Sequence, residues 1–212
     1  MTDFLLQLLE ATLVTLKIFF LTLIFSIPLG LLVVKAKLSR FKALAAITDL
    51  YIMIMRGTPL ILQLIFVYFA PYYLFGVSMG RFTAVIVAFV VNYAAYFAEV
   101  YRSGIQSIPA GQNEACAVLG LSRWDSFFSI ILPQVFKKVL PAMGNEVITL
   151  VKDTALAQTI GVAELFRTAQ NASSRTFSTL PIFIAGVFYF IMNAAVSKSF
   201  DSLEKRLSYY SC

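Results

Sequence analysis

Two stretches of this sequence carry side chains whose types and spacing suit a small charged molecule. In the first, Asn92, Tyr96, Glu99 and Ser103 recur at steps of three and four, so a helix through them holds all four on one face. Arg102 lies three residues beyond Glu99 and can pair with it. In the second, Asn145, Thr149, Lys152 and Asp153 share a helical face, with Thr154 next in the chain. A zwitterion needs one group of each sign, and each stretch offers both. The same pairs also suit a plainer role, Glu99–Arg102 as an ion pair near a membrane edge and Lys152-Asp153 as a tie at a helix end. At the level of sequence both readings stand.

Covalent chemistry is poorly provided for. The chain has no histidine, which excludes His acid/base catalysis and His-ligated metal sites. Cys116 and Cys212 form no C-x-x-C pair. No G-x-x-x-x-G-K-[ST] run is present to cradle ATP phosphates. With no nucleophile–base pair and no metal-ligand cluster, the expectation is a non-enzyme with no catalytic residue, no metal and no cofactor of its own.

The elements that must position those residues belong to a membrane. Of 212 residues, 59% are hydrophobic and 13% charged, a balance that would expose large apolar patches in water. The chain is read as one all-α membrane domain over 1–212, with five spans at about 11–34, 58–75, 82–101, 136–158 and 179–197. The fourth holds Glu146, Lys152 and Asp153, and therefore faces protein or water instead of lipid. Asp3 and Glu10 replace the basic start of a cleaved signal, so the first apolar run reads as retained. Residues 43–55 are too short to cross and read as a slanted helix, broken at Arg56-Gly57-Thr58-Pro59 before the second span. Arg56 is expected to snorkel at the interface, and Tyr68, Tyr72 and Tyr73 to anchor the far one.

Loop charges orient the spans. Lys35, Lys37, Arg40 and Lys42, then Arg102, Arg123, Lys137 and Lys138, then Lys198, Lys205 and Arg206 fall on one side. Only Arg81, Arg167 and Arg175 fall on the other. The positive-inside rule puts the N-terminus outside and the C-terminus in the cytoplasm. The net charge of +6 thus speaks for membrane orientation, and no nucleic-acid partner is expected. No internal repeat is visible, and five spans do not divide into two inverted halves.

Between the third and fourth spans lies a cytoplasmic hairpin, residues 107–130. Ser107 can cap a helix with Pro109 in its first turn, and Gly120 is the residue type that ends one. Ser122-Arg123-Trp124-Asp125 has the pattern of a capping box that starts the next. Small Ala115, Cys116 and Gly120 allow close approach, and Trp124, Phe127 and Phe128 supply an apolar anchor. The alternatives are a knob that fits a partner's groove and a hairpin lying passively on the bilayer.

Glu114-Ala115-Cys116, then Gly120, then Ile130, Leu132 and Pro133 resemble the EAA motif of ABC importer permeases, with Cys116 where that family has a second Ala. Arg56-Gly57-Thr58-Pro59-Leu60, Ala98 to Arg102, Gly111-Gln112 and Lys152-Asp153-Thr154 resemble the polar amino acid permeases of the histidine/glutamine/arginine type; Ala155 stands where those usually carry Ser. The resemblance spans nearly the whole chain. It implies a type I importer permease fold in a bacterial cytoplasmic (inner) membrane, surrounded by membrane lipid. The hairpin becomes a coupling helix that enters a cleft on an ATP-binding cassette subunit, with ATP and Mg bound by that partner. It further implies a second permease subunit, identical or not, and an extracytoplasmic amino acid binding protein. Asn92, Tyr96, Glu99, Arg102, Lys152, Asp153 and Thr154 are then the candidate substrate contacts, and Glu114, Ala115, Cys116, Gly120, Leu132 and Pro133 the coupling residues. The rival is an ion-coupled secondary transporter or channel using Glu99, Lys152 and Asp153 as a relay.

Overall fold

The computed structural model describes residues 2–207; Met1 and residues 208–212, Cys212 among them, lie outside the described residues. Helix α1 runs from Thr2 to Lys37, well ahead of the expected start at residue 11. The stretch LLQLLE is built of strong helix formers, so nothing stops the helix extending back from the apolar run. α2 (Lys42–Gly57) and α3 (Leu60–Phe75) are separated by extended backbone at Thr58 and Pro59, and their axes bend by 110°. The cause is local: Pro59 has no N–H for an α-helical bond and disfavours helical backbone at Thr58. The expected second span therefore begins at Leu60.

The break leaves carbonyls at the end of α2 without helical partners, and side chains take them up. Asn92 donates to Met55 O at 3.0 Å, and Gln63 donates to the same oxygen at 3.0 Å and to Thr58 O at 3.2 Å. Asn92 also donates to Gln63 Oε1 at 2.9 Å. Tyr51 adds a hydrogen bond from α2 to Val91 O. The bend is thereby fastened to α4 (Arg81–Gln106).

α4 is the central helix, packed by α1, α2, α3 and α7. Its Val85, Phe89, Tyr93 and Phe97 are buried in the main core. A Cβ added at Gly30 would lie 2.9 Å from Phe97 Cβ, so this glycine sets how closely α1 approaches α4.

Past α4 come α5 (Ala110–Val118) and α6 (Arg123–Asp125), then a π-helical turn (Ser126–Ile131) that runs into α7 (Leu132–Asp153) without a break. The Leu132 N–H bonds back five residues to Phe127 O. Pro133 follows with no N–H to donate, just where the wide turn has already opened the ladder. The hairpin's second arm is thus the start of α7, not a separate helix. α7 ends at Asp153, and Thr154–Ile160 form a 3₁₀ helix, so the expected fourth span is not α-helical beyond Asp153.

α8 (Leu165–Thr176) is a helix the sequence reading lacked. Its cap is the fully buried Glu164, which accepts from Phe166 N and Arg167 N, both at 2.7 Å, and from Tyr189 Oη at 2.9 Å. Burial pushes this carboxyl above its ordinary pKa, against those donors and the nearby Arg167 charge. α9 (Leu180–Leu207) closes the chain. By length and apolarity α1, α4 and α9 each suffice to cross a membrane, and α2 with α3 qualify as a bent pair. α7 does not, because its polar residues lower its hydropathy.

Candidate functional site

Where α2, α4 and α7 meet, they enclose a cleft of about 530 Å³ lined by Arg56, Tyr96, Glu99, Arg102, Ser103 and Glu146, among others. Glu99 is its centre, 13% exposed and faced by three cations. Arg102 Nε lies 3.1 and 3.0 Å from the two carboxylate oxygens and Nη2 2.8 Å from Oε2. Lys37 Nζ lies 2.9 Å from Oε1, and Arg56 Nη1 3.6 Å from Oε2. Lys37 also pairs with Asp49 at 2.6 Å. The Arg56 guanidinium stacks over Tyr96 at 5.4 Å, a cation–π contact.

The Glu99–Arg102 pair was legible from spacing alone. Lys37 and Asp49 were not, because their approach depends on the turn between α1 and α2. Nor was the position of Glu146 and Lys138, which the α4–α7 packing brings to the same cleft. That packing is close at Gly104, where any Cβ would collide with Val139.

The other candidate residues divide. Tyr96, Glu99, Arg102 and Ser103 line the cleft, whereas buried Asn92 is turned to the α2–α3 bend. Lys152 is exposed; Asp153, the next residue, points inward and accepts from Tyr93 Oη at 2.7 Å. The adjacent charges thus face different ways, and Asp153 ties the end of α7 to α4. Thr154 is fully buried and donates to Val151 O at 2.7 Å. Asn145, Thr149 and Lys152 together leave an open polar strip along α7.

The hairpin projects from the same end of α4 and α7. Gly120 sits at φ +70°, and the bonds Leu121 N–Cys116 O at 3.0 Å and Gly120 N–Ala117 O at 3.1 Å close α5 in a Schellman turn. Ser122 Oγ accepts from Asp125 N at 3.1 Å, the expected cap. Ser107, by contrast, does not cap α5: its hydroxyl donates to Gly104 O at 2.7 Å and closes α4, leaving Pro109 at the α5 N-cap. The arms are joined by Gln134 Nε2 to Gln112 Oε1 at 3.4 Å, and Lys138 Nζ donates to Ser107 O at 2.8 Å. Cys116 is buried against the hairpin interior, while Glu114, Ala115, Leu132 and Pro133 are exposed. So is an apolar tip, with Val118 88% and Trp124 73% exposed, the indole stacked on Phe128 at 5.4 Å.

The model of the family described as "Binding-protein-dependent transport system inner membrane component" matches residues 17–209. The chain is 38% identical over 200 residues to the arginine transport system permease protein ArtQ of Bacillus subtilis (strain 168), covering 94% of this chain and 91% of that one. It is 37% identical over 199 residues to a putative glutamine transport system permease protein of Rickettsia felis, covering 93% and 91%. A solved amino acid ABC transporter with histidines superposes with a TM-score of 0.90 at 35% identity, over 97% of this chain and 96% of that one. An inward-facing MetNI methionine ABC transporter shares the fold, with a TM-score of 0.74 at 20% identity over 96% and 95%.

Proposed function

The chain belongs to the family of binding-protein-dependent transport system inner membrane components, and from that premise we propose how its two sites cooperate in transport. It is the membrane permease subunit of an ATP-driven importer for amino acids and not itself an enzyme. In the reading advanced here, five crossings run from an outside N-terminus to a cytoplasmic C-terminus, with α7 and its 3₁₀ continuation as the fourth. The hairpin then stands in the cytoplasm, where an ATP-binding cassette subunit grips it. ATP and Mg belong to that partner, and an extracytoplasmic binding protein delivers the amino acid at the other face.

The observation that carries this reading is the hairpin tip. Val118, Leu119 and Trp124 stand exposed on a short knob whose backbone is internally satisfied, a surface built to be covered. The α7 strip of Asn145, Thr149 and Lys152 supports a second permease subunit. Polar side chains at membrane depth must face protein or water, so a partner copy or homologue closes the path from that side. Tyr96, Glu99, Arg102 and Lys152 remain substrate-contact candidates. Asn92, Asp153 and Thr154 act by holding the helices that present them.

The test is Gly120→Val in the assembled importer. A β-branched residue at this positive φ strains the turn, and substrate-stimulated ATP hydrolysis should collapse; Gly120→Asn, tolerant of that conformation, should keep it. Full stimulation in Gly120→Val would overturn coupling through the hairpin. Uptake into vesicles by this chain alone, driven by an ion gradient, would replace the importer mechanism with the ion-coupled one.

A further inference from the structure

Most of the charged side chains in the cleft are already engaged within the chain. Arg102 spends Nε and Nη2 on Glu99 and Nη1 on Gln106, so every nitrogen of its guanidinium is in use. Glu99 accepts from Arg102 and pairs with Lys37. Two groups of opposite sign stand outside this closure. Glu146 of α7 lines the cleft half-buried and, among the described residues, makes no hydrogen bond and no ion pair. Arg56 of α2 makes no hydrogen bond among them either; its salt bridge to Glu99 is the long one at 3.6 Å, and its side chain is 44% exposed. The two sense each other's charge across the cleft without pairing. Arg56 is nonetheless well placed. Asn92 fastens the preceding carbonyl, Met55 O, to α4 at 3.0 Å, and the Tyr96 ring backs the guanidinium.

We infer that Arg56 and Glu146 are the two poles that hold the transported amino acid, Arg56 on its α-carboxylate and Glu146 on its α-ammonium, with Glu99 and Arg102 as the scaffold beside them. A guanidinium with free donors matches a carboxylate in bidentate geometry. A half-buried carboxylate without a partner is costly at membrane depth, and a ligand's ammonium relieves that cost. Lys138, the other cation lining the cleft, does not complete such a pair. It lies eight residues (146 − 138) from Glu146 along α7, about 12 Å of helix and more than the two charged ends of one amino acid span, and it donates to Ser107 O. Both contacts are to groups that every free α-amino acid carries. An ester or an N-acyl derivative leaves one pole unmatched. The inference rests on the reading of the chain as an amino acid permease and names which charges in its cleft meet the ligand.

The experiment titrates the permease–ATPase complex, in nanodiscs without ATP or binding protein, with arginine and glutamine, with their methyl esters and with their Nα-acetyl derivatives. Wild type should bind at least one of the free amino acids, and either derivative about tenfold more weakly, the effect of one charged hydrogen bond lost. Arg56→Gln should weaken the free amino acid by about tenfold yet leave the ester, which has no carboxylate to lose, within about twofold. Glu146→Gln should do the same to the free amino acid and spare the acetyl derivative. Arg56→Lys should restore part of the loss. Wild type that binds ester and free acid alike, or variants that weaken all three ligands equally as a merely structural role would, overturns the inference. ATP-driven uptake into proteoliposomes with the binding protein separates the two readings. Uptake undiminished in both variants keeps the importer and overturns the two poles; the crossed binding pattern without ATP-driven uptake supports the poles and overturns the importer.

Discussion

The cleft and the hairpin lie close together yet treat their exposed groups in opposite ways. In the cleft, charge closes on itself: Glu99 engages Lys37, Arg56 and Arg102, and Lys37 turns to Asp49 as well. On the hairpin, polar backbone is closed while the large apolar side chains find nothing inside the chain to cover them. The contrast separates a region whose energetics are internal from one whose energetics await another molecule. A substitution in the first should already be felt by the isolated subunit. A substitution in the second should be silent until the partner is present.

Glu99→Gln should cost the most. It leaves three cations around a neutral amide, and losing the charged acceptor that all three share costs roughly 2–3 kcal/mol. A drop in the thermal midpoint of the purified subunit measures it. Adding Arg102→Gln should recover part of the loss, because one repelling cation is gone. Stability unchanged in the single variant would mean that the cluster is not the organising feature of the cleft.

Trp124→Ala tests the other side. An exposed indole at an interface centre is worth about 2 kcal/mol, roughly 30-fold in affinity for the ATPase subunit, while the melting of the free subunit should stay put. If the free subunit melts earlier and affinity holds, the two regions do not differ as described. Gln63→Ala removes hydrogen bonds at the α2–α3 bend and should cost about 1 kcal/mol, seen as faster amide exchange near Arg56. Asp49→Asn, touching a half-exposed outer pair, should change stability by less than about 1 kcal/mol and separate the core of the network from its rim.

Local signals carried much of this. The break at Thr58-Pro59, the left-handed turn at Gly120 and the Ser122 cap each follow from one or two residues acting on adjacent backbone, and each appears where the chemistry puts it. The Glu99–Arg102 pair was equally local. What escaped was set across the fold. Lys37 reaches Glu99, and Asp49 reaches Lys37, only because the α1–α2 turn folds back, and Asp153 turns from Lys152 because Tyr93 of α4 waits for it. Ser107 could serve either of two helices, and position alone did not choose. The 3₁₀ segment Thr154–Ile160 and helix α8 were hidden for a further reason. The 3₁₀ segment is too short to show a helical period, the buried stripe of α8 (Leu165, Ala169 and Ala172) has the right spacing but is mostly alanine, and the buried Glu164 that starts α8 reads in sequence as an ordinary surface carboxylate.

The wide turn at Ser126–Ile131 fixes an azimuth. Because helix runs unbroken from Arg123 to Asp153, the direction in which Trp124 faces and the direction in which Glu146 and Lys152 face are phased by the residue count between them. One residue fewer in that turn would restore ordinary winding, and because a wide turn advances less per residue than an α-helix, the lost residue and the tighter winding nearly cancel around the common axis. Deleting Ser129 should therefore yield a folded chain whose knob keeps its facing, whereas deleting one residue from the regular helix that follows should turn the knob by about 100°.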